Sequence, residues 1–250
     1  MNDNRSAVAS WGFRLALLAV VISALAVAGN RFGVMPFQMA LLGLAGGAAM
    51  GLLAALVSLI GFVLAGARQQ DGRLSATIGF VIGILVALPV ALAMQKGAGV
   101  PRIHDITTDL ADPPAFTALA EGRPEHWNAL DRASPPDLAD QQRKAYGDLA
   151  PLVIDLPAGL VYDTALDLVR QRGWQIVAED KQAGTIEAVA TTTVMGFEDD
   201  IILRMRAAGG ATRVDMRSVS RVGESDLGAN AERIKLFLAD LQSALAGSGE

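Results

Sequence analysis

Three stretches in the first hundred residues leave the chain few choices. Residues 11–29 (WGFRLALLAVVISALAVAG) carry one charge, Arg14, near their start, and residues 36–66 and 74–94 carry none. A hydrocarbon core of about 30 Å needs about 20 apolar helical residues, and each run supplies that length. Backbone polar groups inside a bilayer must be satisfied within the segment, which makes the runs helices. The expected membrane domain is residues 1–96, with helices at about 11–29, 36–66 and 74–94. The second run exceeds what a span needs, which predicts tilt or extension beyond the core. Pro89 predicts a bend in the third.

The second and third runs carry small residues every fourth position: Gly43, Gly47, Gly51 and Ala55, then Ser75, Gly79, Gly83, Ala87 and Ala91. Such stripes let helix backbones approach closely. The short linker Arg68–Arg73 makes the two an antiparallel hairpin. Packing within the chain is the first use of the stripes, and homo-oligomerisation with a second copy is the other. These two runs contain none of the intramembrane ionisable groups that mark a transport pathway.

Basic flanks set orientation. Arg5, Arg14, Arg68 and Arg73 lie on one side, against Arg31, Lys96 and Arg102 on the other. The bias puts the N-terminus and the 68–73 linker in the cytoplasm and the C-terminal half outside. Ala26-Val27-Ala28 resembles a signal-peptidase site after a basic start and an apolar core. Cleavage there leaves two helices, with the C-terminal half still outside.

Charge divides the chain as hydropathy does. Residues 1–100 carry a net +4 and the whole chain −5, leaving −9 for the remainder. An acidic soluble half lacks the basic footprint that nucleic acid demands, so no nucleic-acid partner is expected. Cysteine is absent, which excludes disulfides and thiol chemistry.

After a short exit at residues 97–101 (GAGVP), the soluble domain is expected over 102–250. Ile103 and Ile106 suggest a short extended piece. Asp112-Pro113-Pro114 forces a non-helical path, residues 117–137 read as irregular, and Asp137 starts a short helix to about Ala145. Leu152–Leu156 reads as a strand. Pro157 opens a helix in which Val161, Ala165, Leu168 and Val169 recur at helical spacing, and Gly173 ends it. Strands follow at Trp174–Ala178 and Thr185–Thr193, and a last helix runs from about Leu227 to Leu245. The order β-α-β-β-β-β-α predicts an α+β domain, a mostly antiparallel sheet with two helices on one face.

The candidate surface lies between residues 197 and 233. In one strand Ile201, Leu203 and Met205 share a face, with Asp200, Ile202, Arg204 and Arg206 on the other. In the next, Val214 and Met216 oppose Arg213, Asp215 and Arg217. A four-residue loop, Ala207–Gly210, predicts that Asp200 faces Arg217 and that Arg204 faces Arg213, diagonal to Asp215. The apolar face meets the helices, so the Arg/Asp face looks away from them.

The segments IHDITTDLADPPAF, GFEDDIILRMR and VDMRSVSRVGESDLGANAERI resemble the bacterial membrane-anchored "domain of unknown function 1499" family over roughly residues 102–242, with RSVSRVGESDLGAN the most specific piece. The resemblance implies a shared domain and a shared surface, and no reaction or ligand.

The residues narrow the chemistry. His104 and His126 are the only histidines. With no cysteine and no zinc-ligand or calcium-loop spacing, neither a metal nor another cofactor is expected. Ser218, Ser220 and Ser225 have no local histidine and no nucleophile elbow. Asp199 and Asp200, adjacent on a strand, point to opposite faces and make a poor acid–base pair. What is left is a binding surface of Asp200, Arg204, Asp215, Arg217, Ser220, Arg221, Ser225, Asp226 and Asn230. Its arginines suit the phosphate or carboxylate of an anionic envelope ligand, or an acidic protein partner. Two readings compete with it. In one, the Arg/Asp set is an ion-pair lattice holding residues 103–148 to the sheet. In the other, the domain is a hydrolase or transferase using Asp200, Asp215 or Asp226. The expected location is a bacterial inner membrane, with the soluble domain extracytoplasmic.

Overall fold

The computed structural model describes residues 4–247, which form two compact units: residues 4–98 with 193–196, and residues 99–192 with 197–247. The first contains three helices long and apolar enough to cross a membrane: α1 (Ala7–Arg31), α2 (Phe37–Ala67) and α3 (Arg73–Ala98). Ser6 caps α1, its Oγ accepting from the Ala9 N–H at 3.3 Å. α3 runs unbroken through Pro89. The small residues are used inside the unit. A Cβ on Gly51 would lie 2.7 Å from the Gly83 carbonyl oxygen, and one on Gly47 would lie 2.1 Å from Ser23 Oγ on α1. The α2 stripe therefore serves two neighbours, α3 at Gly51 and α1 at Gly47.

The second unit holds β1 (Asp105–Thr107), α4 (Leu138–Ala145), β2 (Leu152–Ile154), α5 (Ala158–Gln171), β3 (Gln175–Asp180), β4 (Thr185–Thr191), β5 (Glu198–Ala208), β6 (Ala211–Ser220) and α6 (Ala229–Gly247). The predicted order from β2 to α6 is present, and β1 and α4 precede it. The six strands form one antiparallel sheet in the order β1-β6-β5-β4-β3. β1 and β2 share one side of β6, pairing with its residues 217–219 and 212–214.

Alternation along β5 and β6 sends Ile201, Leu203, Met205, Val214 and Met216 to the face covered by α5 and α6. There they pack with Val161, Ala165 and Val169 of α5 and with Ile234, Phe237 and Leu241 of α6. Trp174 closes the end of this core, stacked on Phe237 at 5.4 Å between ring centroids. The opposite face also carries a small apolar patch of Phe116, Leu119, Val189, Ile202 and Val219.

The β5–β6 hairpin departs from the expected register by two residues. Its loop is Gly209-Gly210 alone, with φ of 63° and 99°, and Ala208 pairs with Ala211. A two-residue loop with both φ positive matches the strand twist, and glycine adopts that conformation without steric cost. Arg204 is therefore directly opposite Asp215, Arg206 opposite Arg213, and Arg217 opposite Ile202. A shift of two preserves which face each side chain occupies.

Candidate functional site

Even-numbered positions of β5 and odd-numbered positions of β6 put Asp200, Arg204, Arg206, Arg213, Asp215 and Arg217 on the sheet face away from α5 and α6. This face is not open to solvent. The irregular chain between β1 and α4 lies over it, and arginines fasten the two together.

At the hairpin end, Asp215 is fully buried and three guanidinium groups converge on it. Oδ2 accepts from Arg204 Nη2 (3.1 Å) and Arg206 Nη2 (2.9 Å), and Oδ1 accepts from Arg213 Nε (3.0 Å). The same arginines reach the overlying segment. Arg204 donates to the Asp112 carbonyl (2.7 Å), Arg206 to Asp112 Oδ2 (2.7 Å) and Arg213 to Asp109 Oδ2 (2.6 Å). Burial pushes the Asp109 carboxyl up, but the Asp112 and Ala111 N–H groups and the Arg213 charge outweigh it and leave the group below its ordinary value. Asp112 is held down chiefly by its hydrogen bond from Arg206 and the charge of Arg204.

In the middle, Arg217 makes a two-pronged bond to Asp105, Nε to Oδ1 at 3.0 Å and Nη2 to Oδ2 at 2.7 Å, with side-chain exposures of 4% and 2%. Its remaining donors go to the Pro114 (3.1 Å) and Leu130 (2.6 Å) carbonyls, and its guanidinium lies 5.1 Å from the Phe116 ring centroid. Arg132 adds a second cation to Asp105 at 2.5 Å. At the far end, Asp200 accepts from Arg123 (2.6 Å) and Arg221 (2.8 Å), and both guanidinium groups lie against Trp127. Arg221 also pairs with Glu198. Glu187 of β4, only 4% exposed, accepts the N–H groups of Thr117, Ala118 and Leu119 at 2.7, 3.2 and 2.8 Å, which pins the turn carrying Phe116.

The other predicted site residues belong to a second cluster, at the start of α6. Ser218 Oγ donates to Asn230 Oδ1 (2.7 Å), and Asn230 Nδ2 donates to Ser220 Oγ (2.9 Å) and to the His104 carbonyl (3.0 Å). Arg233 joins this cluster to Asp199. Asp226 caps the helix, accepting from the Gly228 and Asn230 N–H groups at 2.8 Å each. Burial raises the Asp226 carboxyl above its ordinary value despite those bonds. Ser225 Oγ accepts from the Leu227 N–H at 3.3 Å.

The nine predicted residues are thus divided. Asp200, Arg204, Asp215, Arg217 and Arg221 lie in the charged lattice, while Ser220, Ser225, Asp226 and Asn230 lie at the helix start. Sequence reasoning missed Arg123, Arg132 and Glu187 as partners. A glutamate at an inward position of the apolar strand TIEAVAT was a usable signal, because a buried carboxylate demands donors. Asp105 and Asp109, outside the nine, both bind arginines of the lattice. Among the described residues, no three His, Asp or Glu side chains group to hold a metal ion.

No curated protein matches the chain. The model of a family described as "Protein of unknown function (DUF1499)" matches residues 105–241, from β1 into α6 and more than half of the 250 residues. Every contact of the lattice falls inside that match, as does every contact of the helix-start cluster except the His104 carbonyl, and the chain belongs to the DUF1499 family.

Proposed function

We propose that this chain is a membrane-anchored, extracytoplasmic module of the bacterial envelope that binds rather than catalyses. Its Arg/Asp face holds an irregular cover segment in one conformation, and the outer end of that face contacts an anionic ligand or partner. The observation that carries the reading is the convergence of Arg204, Arg206 and Arg213 on the buried Asp215 carboxylate. Arg206 and Arg213 keep 41% and 33% of their side chains exposed. These two cations are fixed in direction by Asp215 and still open to solvent, which suits bidentate recognition of a carboxylate or phosphate. The catalytic alternative has less support. Both oxygens of Asp200 and of Asp215 already accept guanidinium N–H groups. Both oxygens of Asp226 accept backbone N–H groups.

Two experiments test the proposal. Alkaline phosphatase fused after residue 250 is expected to be active, and an inactive fusion at normal expression refutes the extracytoplasmic placement. Calorimetric titration of the full chain in detergent with carboxylate-bearing peptidoglycan fragments is expected to give binding that the Arg206→Gln, Arg213→Gln double variant loses. Equal binding by the double variant refutes the role of the hairpin end.

A further inference from the structure

A cleft of about 190 Å³ lies between α2 and α3, lined by Ser58, Leu59 and Phe62 on one side and Ala76, Thr77 and Phe80 on the other. Its floor is set by tight packing. Ser58 is fully buried, and a Cβ on Gly12 of α1 or Gly79 of α3 would come within 2.4 or 2.5 Å of its hydroxyl. The walls are apolar and outward-facing, with Leu59 50%, Phe62 38% and Phe80 39% exposed. In a helix that crosses a bilayer, those exposed surfaces face hydrocarbon.

The mouth of the cleft is cationic. Arg73, Ala76, Thr77 and Phe80 recur at helical spacing, so one face of α3 runs from a guanidinium down into the cleft. The Arg73 guanidinium lies 4.8 Å from the centroid of the Phe62 ring. Gly66 permits that placement, since a Cβ there would lie 2.4 Å from Arg73 Nη2. Arg73 is exposed and has no carboxylate partner among the described residues, and neither has Arg68 on the same turn. Asp71 shares the turn, where its main chain bonds Asn4 (3.1 Å) and Ser6 (2.8 Å). A cation at the end of a membrane helix, above an apolar slot opening to lipid, has the charge and shape complement of an anionic phospholipid.

We infer that this cleft is a binding site for one anionic phospholipid, with its phosphate on Arg73 and one acyl chain along Phe62, Thr77 and Phe80. The site belongs to the membrane unit alone and is independent of the soluble unit's ligand. One basic side chain near a membrane surface is worth about a fivefold preference for anionic lipid.

The test is native mass spectrometry of the full chain, released from detergent after equilibration with equal phosphatidylglycerol and phosphatidylcholine. The wild type is expected to retain about fivefold more phosphatidylglycerol. Arg73→Gln is expected to abolish the preference. Thr77→Trp, placed at the exposed wall where it fills the slot without entering the helix contact, is expected to lower retention of both lipids and keep the preference. Equal retention of the two lipids by the wild type, or an unchanged preference in Arg73→Gln, overturns the headgroup assignment. Undiminished retention by Thr77→Trp overturns the cleft.

Discussion

Under α5 and α6 the sheet meets Val161, Ala165, Ile234, Phe237 and Leu241; on its other face it meets Asp109, Arg123 and Arg132. Both faces are covered, but by different physics. Apolar area closes the first face, and such contact is non-directional, so the regular elements that supply it need only the right period and volume. Directional charge-assisted bonds close the second, and they hold a segment with little secondary structure of its own. Buried ion pairs gain little net stability over apolar packing, yet leaving one partner alone is costly. The comparison teaches that the charged face has exchanged tolerance for specificity. It fixes one path for residues 108–136, whose apolar docking is limited to the small patch at Phe116, Leu119 and Leu130.

The faces should therefore respond differently to substitution. On the apolar face, Phe237→Ala is expected to cost about 3–5 kcal/mol, read from the urea midpoint of the full chain in detergent. Phe237→Leu is expected to recover most of that. On the charged face even an isosteric change is expected to hurt. Glu187→Gln keeps the volume but replaces one acceptor oxygen with a donor facing backbone N–H groups, with an expected loss of about 1–3 kcal/mol. A Glu187→Gln protein as stable as the wild type would show that the Phe116 turn is held by its apolar contacts alone.

Acid weakens the two faces unequally. Asp109 and Asp112 titrate below the ordinary carboxylate value of 3.8. Their contribution is fully present above that value and is lost as pH falls through the lower, folded-state values. The hairpin end is expected to loosen below about pH 4. The Arg213 side-chain N–H signal in NMR spectra should report this, and Asp109→Asn should flatten the response. The smallest effect is expected at Arg206. Its 41% side-chain exposure leaves its bonds screened by water and salt, so Arg206→Gln should cost under about 1 kcal/mol and less at high salt. A larger loss would extend the buried character of the lattice to the edge of the sheet.

The same division explains what could be read without coordinates. Period-2 alternation assigned Ile201, Leu203, Met205, Val214 and Met216 to the helix side and the charges to the other. Apolar length marked all three membrane helices. The hairpin register escaped because Ala207 and Ala208 suit a loop as well as a strand, and only the paired geometry of Gly209-Gly210 distinguishes two residues from four. That the Arg/Asp set holds residues 103–148 to the sheet is one of the competing readings of the sequence, but its individual bonds escaped for a deeper reason. Arg123 and Arg132 find their partners, Asp200 and Asp105, across long loops, and Arg217 spends two donors on the backbone carbonyls of Pro114 and Leu130. Such bonds leave no periodic trace. The split of the nine candidate residues followed from one step that alternation allows. Ser220 shares parity with Met216 rather than with Arg217, so it faces α6 and Asn230.

The measurement closest to the central claim is a set of substitutions in the Arg217–Asp105–Arg132 triad, read from urea unfolding of the full chain in detergent. Asp105→Ala is expected to cost about 3–5 kcal/mol, because it strands the Arg217 and Arg132 guanidinium groups together, and Arg217→Ala less, because Arg132 still pairs with Asp105. Arg217→Met, Asp105→Leu and Arg132→Met together are expected to recover much of the loss, because removing all three members leaves no charge uncompensated. Single variants within about 0.5 kcal/mol of the wild type would mean that this triad is an ordinary surface contact. The charged face would then be free to act as an open binding surface along its whole length.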